Sequence, residues 1–170
     1  GMHLSRINDG EGARKAFEKA LQLKPDMNEL RMQLGLAYLQ LDRDQAAVDT
    51  LRTYLSLSPG NARAGEMLAG AMCRTGQYAA AVDELAKLED ARAEDAGLNL
   101  EYIYTLLRAG QARAAADLKA TEGAPILSTL FTALARKHAG DPYRPLLDTL
   151  DSVEGDIDEE CGGVLGTMFF

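Results

Sequence analysis

The chain has 170 residues, of which 46% are hydrophobic and 6% aromatic, with no Trp. Ala and Leu must therefore do most of the packing, which favours close-packed helices over a β-sheet. The net charge is -8, but residues 141–170 alone carry -7, so the rest of the chain is nearly neutral. Because phosphate contacts require clustered Lys and Arg, this balance argues against a nucleic-acid partner.

Residues that could support catalysis or hold a metal are sparse. Cys73 and Cys161 are far apart, and neither a CxxC pair nor a His-rich cluster accompanies them, so we expect no metal site. A Gly-rich phosphate motif is also missing from the sequence. We therefore expect no cofactor and no enzymatic activity.

Hydropathy argues against a membrane anchor within the sequence. None of its apolar runs reaches the roughly 18 residues that a transmembrane helix requires. A signal peptide is not visible. The sequence favours a cytoplasmic location, unless a signal precedes residue 1.

The predicted elements are helices joined by short turns. Residues 2–7 are too short for a full amphipathic helix, and Asn-Asp-Gly at residues 8–10 is typical of a turn. Residues 11–23 then place apolar side chains on one helical face. Pro25 ends this helix, because its ring blocks continuation and disfavours helix at the preceding residue.

Two helical pairs follow. The first pair is predicted at residues 27–41 and about 45–57, with Asp44 as the N-cap of the second helix. The next pair is predicted at 62–75 and about 78–90. Each pair has the short connection and opposed apolar faces that are typical of antiparallel helices.

Residues that end or begin helices also recur toward the end of the chain. Gly76 and Gly110 each precede the second helix of a pair, and each supplies the left-handed backbone that helix ends often require. A fourth pair surrounds Gly110. Pro125 suits the first turn of a further helix, and a short helix is expected at 143–153.

Alanine recurs at a constant interval along the chain, at Ala13, Ala47, Ala81 and Ala115. The two turn glycines are separated by the same interval. A period of about 34 residues is typical of a solenoid of stacked helical pairs. Small side chains at fixed positions let the two helices of a pair approach closely. One pair cannot bury its own apolar face, so neighbouring pairs must stack.

These residues resemble the tetratricopeptide repeat family. The second unit carries the family markers Leu34-Gly35, Tyr38, Ala47 and Pro59, although Tyr54 stands where the family has a second Ala. The resemblance is close over about residues 10–93 and weaker to residue 120. It implies a right-handed array of antiparallel helix pairs, in which the first helix of each pair lines the concave side.

The predicted fold class is therefore an all-α superhelix with a non-consensus C-terminal capping pair. Residues 1–121 form the repeats, the first of them incomplete, and residues 122–154 form the cap. Residues 155–170 are an acidic and then apolar tail. We expect this tail to dock, either in the groove or over the last helix.

The family resemblance also implies a partner-binding groove. Carried over position by position, its lining residues are Met32, Gln33, Leu36, Gln40, Arg63, Met67, Arg74, Leu100, Tyr104 and Arg108. Met is adaptable and common at binding surfaces. Equally, the apolar members of this set could be partly buried between neighbouring helices.

The hypothesis that follows is a non-catalytic protein-interaction module: a scaffold, adaptor or chaperone-like domain. Its ligand would be a peptide or helix of a protein partner, with apolar anchors. The alternative is a structural module that forms homo-oligomers through the incomplete first repeat or the C-terminal tail. The first return helix, with Ala13, Phe17, Ala20 and Leu21, would then pair with another copy.

Overall fold

The computed structural model describes residues 2–118, 125–142 and 145, and all regular structure in these ranges is helical. The helices found there are α1 (Met2–Leu23), α2 (Asn28–Gln40), α3 (Asp44–Leu57), α4 (Ala62–Arg74), α5 (Tyr78–Ala86), α6 (Glu89–Glu94), α7 (Ala96–Arg108), α8 (Ala112–Ala116) and α9 (Pro125–Ala139). This confirms the predicted all-α fold class. The tail at 155–170, and all of the predicted helix at 143–153 except residue 145, lie outside the described residues.

The chain divides into two compact units, unit 1 (residues 1–84) and unit 2 (residues 85–170). In unit 1, each of the first four helices packs on the next, and α2 also contacts α4. Its core is built from small and branched side chains, and Ala47, Val48 and Leu51 are fully buried on α3. Of the four periodic alanines, Ala47, Ala81 and Ala115 are fully buried, whereas Ala13 is half-buried.

The predicted turn at residues 8–10 is wrong, because α1 runs without interruption from residue 2 to residue 23. Gly10 is buried in this helix, and a Cβ atom added there would lie 3.1 Å from Leu41 Cδ2. Glycine at this position therefore lets α1 approach the end of α2. Packing of α1 against Leu41 therefore overrides the local turn preference of Asn-Asp-Gly.

The turn inside each helical pair has the same backbone geometry in three successive repeats. Gly76 and Gly110 both have φ +77°, as the sequence predicts for these positions. Asp42 occupies the same position one repeat earlier and has φ 55°. Asp is one of the few residues other than Gly that enter this left-handed region at modest cost.

The predicted cap at Asp44 is also wrong. Asp44 is the first residue of α3, and its N-cap, Arg43, makes no side-chain capping bond. The side-chain caps lie instead at Asn61 and Asp95, which hold equivalent positions one repeat apart and precede α4 and α7. Each accepts a hydrogen bond of 3.0 Å from the backbone N–H three residues on. Met27, at the same position before α2, cannot accept one.

A polar contact joins successive repeats of unit 1 at their turns. Arg43 donates to Glu11 Oε1 at 2.6 Å. One repeat on by position, Gln77 Nε2 donates to Gln45 Oε1 at 3.2 Å. We call these two contacts the turn rungs, the first between charged and the second between neutral side chains.

The predicted helix at about 78–90 is divided in the structure. α5 ends at Ala86, and a separate short helix, α6, follows in unit 2. Arg92 of α6 donates to the carbonyl of Leu85 at 3.0 Å, and its guanidinium lies 4.0 Å from the centroid of the Tyr102 ring. This arginine thereby adds a second donor to a carbonyl that already accepts from the Leu88 N–H, and it attaches α6 to α7 through a cation–π contact.

Candidate functional site

Helix α2 presents two rows of side chains that the family resemblance singled out. Met32 and Leu36, one turn apart, are half-buried, whereas Gln33 and Gln40, two turns apart, are exposed. Residues at these spacings lie on the same side of a helix. The helix therefore shows an apolar row bordered by side-chain amides that can donate and accept hydrogen bonds.

Helix α4 adds a third row. Arg63, Met67, Gly70 and Arg74 follow one another at steps of four, three and four residues, so they form one stripe. Both arginines are exposed, and Met67 is half-buried. The stripe is apolar in the middle and positively charged at its two ends.

The two helices are neighbours, and one residue at the start of α4 reaches back to α2. Asn61 Nδ2 lies 3.8 Å from Met32 Sδ and 2.9 Å from the hydroxyl oxygen of Tyr54. We call the set Met32, Gln33, Leu36, Gln40, Arg63, Met67 and Arg74 the α2–α4 face. Asn61 helps to position it, although the sequence pattern alone does not single that residue out.

The two arginines of this face differ in their bonding. Arg74 donates to Asp44 Oδ1 at 2.7 Å, which ties the end of α4 to the start of α3. Arg63 makes no ion pair with any residue that the structure describes. Arg63 is therefore the member of the α2–α4 face that is available to pair with an acidic group on a ligand.

The remaining three predicted residues lie on α7 in unit 2. Leu100 is fully buried, so its proposed place in a groove is corrected: it offers no surface to a partner. Its spacing on the helix gave no indication of this burial. Tyr104 is half-buried and accepts a hydrogen bond of 2.9 Å from exposed Arg108. This pair presents an aromatic ring and a guanidinium side by side.

A charged network fixes α1 against α2. Arg14 binds both Glu11 and Glu18, with shortest distances of 2.9 Å and 2.6 Å. The Tyr38 hydroxyl donates to Glu18 at 2.7 Å. This bond and the Arg14 guanidinium hold the pKa of Glu18 below its ordinary value, and Arg14 does the same to the pKa of Glu11. Burial is the main cause that raises the pKa of Tyr38, and its bond to Glu18 adds to the effect.

Within the described ranges, three or more His, Cys, Asp or Glu side chains do not come together in a way that could hold a metal ion. Among the described helices, none is both long and apolar enough to span a bilayer.

A match to a known repeat family covers α1, α2 and α3. Residues 1–62 match the tetratricopeptide repeat. The match confirms the resemblance over this range, which includes the close packing of α2 on α3. Tetratricopeptide repeats are modules of protein–protein interaction, and the match supports that general role for the chain. The curated proteins contain no sequence that matches it.

Solved structures show the same fold over most of the chain. A structure described as the crystal structure of MamA is similar with a TM-score of 0.68 and 18% identity, over 85% of this chain and 86% of that one. A second, described as the crystal structure of MamA protein, has a TM-score of 0.69 and 19% identity, over 94% of this chain and 83% of that one. These likenesses show a shared tetratricopeptide-like helical fold.

Proposed function

We propose that the chain is a non-catalytic binding module whose α2–α4 face holds a peptide or helix from a protein partner. The observation that carries this proposal is the chemistry of that face. Met32, Leu36 and Met67 keep part of their apolar surface uncovered on two adjacent helices. Flexible thioether side chains can adjust to the shape of an apolar anchor, so such a surface suits a partner with Leu, Met or aromatic residues.

The polar side chains at the border of the α2–α4 face indicate which polar groups a ligand would carry. Gln33 and Gln40 are seven residues apart, or about 10 Å along the helix axis. Three residues of an extended peptide cover about the same length. The two amides can therefore bond to peptide groups three residues apart, while Arg63 pairs with an acidic side chain. In unit 2, Tyr104 and Arg108 are proposed as a separate contact for the partner.

The test is affinity capture with the wild-type chain and with a Met32→Glu, Met67→Glu variant. Met27→Glu is the matched control, because Met27 is an exposed methionine outside the α2–α4 face. We expect a set of partners to be lost together from the double variant and kept by the control. A Met32→Gln, Met67→Gln variant, with helix content checked by circular dichroism, guards against an effect of unfolding. Partners retained by every folded variant contradict the proposal.

A second candidate is self-association through α1. Ala13, Phe17 and Ala20 are half-buried, whereas Ala47 and Leu51, one repeat after the first two, are fully buried. The first return helix thus keeps an apolar side partly open, which the same side of another copy would cover. Sedimentation velocity over a range of concentrations tests this: association that Phe17→Glu abolishes supports it, and a monomer at every concentration excludes it.

A further inference from the structure

The connection between α1 and α2 is exposed and carries apolar side chains. Leu23 is 75% exposed and Met27 is 44% exposed, and Pro25 between them is exposed as well. Leu57, which occupies the position of Leu23 one repeat later, is 60% exposed. Exposed apolar side chains that cluster, rather than lie scattered, are typical of contact surfaces. We call the set Leu23, Lys24, Pro25, Asp26, Met27 and Leu57 the loop edge.

Two side chains of α2 hold the loop edge in place. Arg31 donates a hydrogen bond of 2.6 Å to the carbonyl of Pro25, and its Nη1 is buried, so this cation is directed inward. Asn28 Nδ2 donates to Ser58 Oγ at 2.8 Å, which joins the start of α2 to the residue after Leu57. A surface that is held in this way before it binds loses less conformational entropy on binding.

The exposed charges of the loop edge are of opposite sign on the two sides of Pro25. Lys24 precedes it and Asp26 follows it, and both side chains are exposed and make no ion pair with any described residue. The nearest charges before and after this pair are Lys19 and Glu29, which are exposed and again positive and negative. The loop edge therefore presents one charge of each sign.

Residues 23–27 are complementary to themselves. In both directions the order is apolar, charged, Pro, charged, apolar, with the two charges opposite. A twofold axis beside Pro25 places Lys24 of one copy opposite Asp26 of the other, and Leu23 opposite Met27. An isologous contact forms each of these pairs twice.

The turn between repeats does not require this pattern. The equivalent residues one repeat later, 57–61, are Leu-Ser-Pro-Gly-Asn, which carry no charge. Asn61 there accepts a hydrogen bond from the first turn of α4, whereas Met27 makes no capping bond and exposes an apolar side chain. Since an N-cap position favours a polar residue, Met27 gives up capping where an apolar contact would make use of it.

We propose that the loop edge binds the loop edge of a second copy of this chain in an isologous dimer. The partner is a second copy because it supplies an acid for Lys24 and a base for Asp26 at the same time. A surface of a single sign would satisfy one of these charges and repel the other. The contact uses neither the α2–α4 face nor Phe17, so it goes beyond the proposed function.

The size of the loop edge sets the strength of the dimer. A stable interface takes about 20–30 residues a side, which is far more than the loop edge supplies. The association is therefore weak, and we expect it to be visible by about 1 mM protein.

The experiment reverses one charge of the loop edge at a time in the full chain. In Lys24→Glu two acids face each other twice across the axis, and in Asp26→Lys two bases do. We expect each variant alone to have an association constant about tenfold lower than the wild type in sedimentation velocity. Lys15→Glu is the matched control, because it changes the net charge as Lys24→Glu does at an exposed lysine outside the loop edge. It should associate as the wild type does.

An equimolar mixture of Lys24→Glu and Asp26→Lys should recover the association. In the mixed dimer, each contact across the axis again joins an acid to a base. The double variant Lys24→Glu, Asp26→Lys should recover it as well, for the same reason. Met27→Asn should associate more weakly than the wild type although its fold is no less stable, since it exchanges an apolar contact for a cap.

Three outcomes overturn the proposal. A wild type that stays monomeric up to about 1 mM excludes the dimer. Single variants that associate as strongly as the wild type show that another surface is responsible, such as apolar pairing through Phe17. A mixture that associates no better than its components, with both variants folded by circular dichroism, shows that Lys24 and Asp26 do not face each other. The capture of partners by the α2–α4 face affects none of these results, so the two proposals fail separately.

Discussion

Gly35 of α2 lies directly against Leu51 of α3: a Cβ atom added at Gly35 would lie 2.7 Å from both Cγ and Cδ2 of that leucine. Leu51 is fully buried, so it has little room to move aside. We therefore expect Gly35→Ala to force the two helices apart and to lower the free energy of unfolding by about 1–3 kcal/mol. Urea unfolding followed by circular dichroism measures the change.

Gly12→Ala is the matched control. Gly12 is also helical, but an added Cβ meets nothing within 4 Å there. Ala should raise the free energy of unfolding at this exposed site, by up to about 1 kcal/mol, because it has the higher helix propensity. Similar effects of the two substitutions would contradict the close approach of α2 and α3.

The missing cap of α2 predicts a stabilising substitution. Asn61 and Asp95 cap α4 and α7, whereas Met27 occupies the same repeat position and has no capping bond. Met27→Asn should supply a side-chain acceptor for the N–H groups of the first turn, and should raise the free energy of unfolding by about 1 kcal/mol. Asn61→Ala should have an effect of the opposite sign. An unchanged midpoint in thermal unfolding for both variants would refute this account.

Asp42 and Gly76 hold the same left-handed turn position in successive repeats. Gly76→Ala should destabilise the chain by about 1–2 kcal/mol, because an L-residue with a Cβ is strained at φ +77°. Asp42→Gly relieves that strain and should be neutral or stabilising. Equal losses in chemical denaturation for the two substitutions would show that backbone strain is not the cause.

Stability in acid should depend on Glu18. Its pKa in the folded chain is below the ordinary value of 4.5, first because Tyr38 donates to it and then because of Arg14. Such a group stabilises the fold above its unfolded pKa, and the contribution is lost as the pH falls through the folded pKa. Glu18→Gln should therefore be less stable near pH 7 and depend less on pH below about 4.5.

Urea unfolding at a series of pH values tests this dependence. Glu29→Gln is a suitable control, since Glu29 is an exposed glutamate on α2 with no ion pair among the described residues. Its profile should follow that of the wild type. If the stability of Glu18→Gln changes with pH as that of the wild type does, the Glu18 carboxylate makes no pH-dependent contribution to stability.

The sequence predicts those parts of the fold that depend on repetition. The buried alanines and the positive φ of Gly76 and Gly110 follow from a constant spacing, because equivalent positions must solve the same packing problem. The helical conformation of Gly10 could not be predicted in this way. Its local signal is a turn, and only the position of Leu41 shows why a helix there needs a small residue.

The candidate site was predicted less completely than the fold. Helical spacing assigns Met32 and Met67 to neighbouring helices, but it does not say how much of each side chain is covered. Leu100 shows this limit, since it shares its repeat position with half-buried Met32 and is itself fully buried. Asp44 shows another limit, because it is the first residue of α3 and not its N-cap, and its partner Arg74 is distant in sequence.

The two turn rungs have a consequence for how the chain avoids misfolding. Repeats that resemble one another can stack in the wrong order, since their apolar surfaces are nearly interchangeable. Here Arg43 donates a hydrogen bond to Glu11, and Gln77 donates one to Gln45. Pairing Gln77 with Glu11 instead would leave Arg43 without its carboxylate, so the difference between a charged and a neutral rung disfavours a skipped repeat.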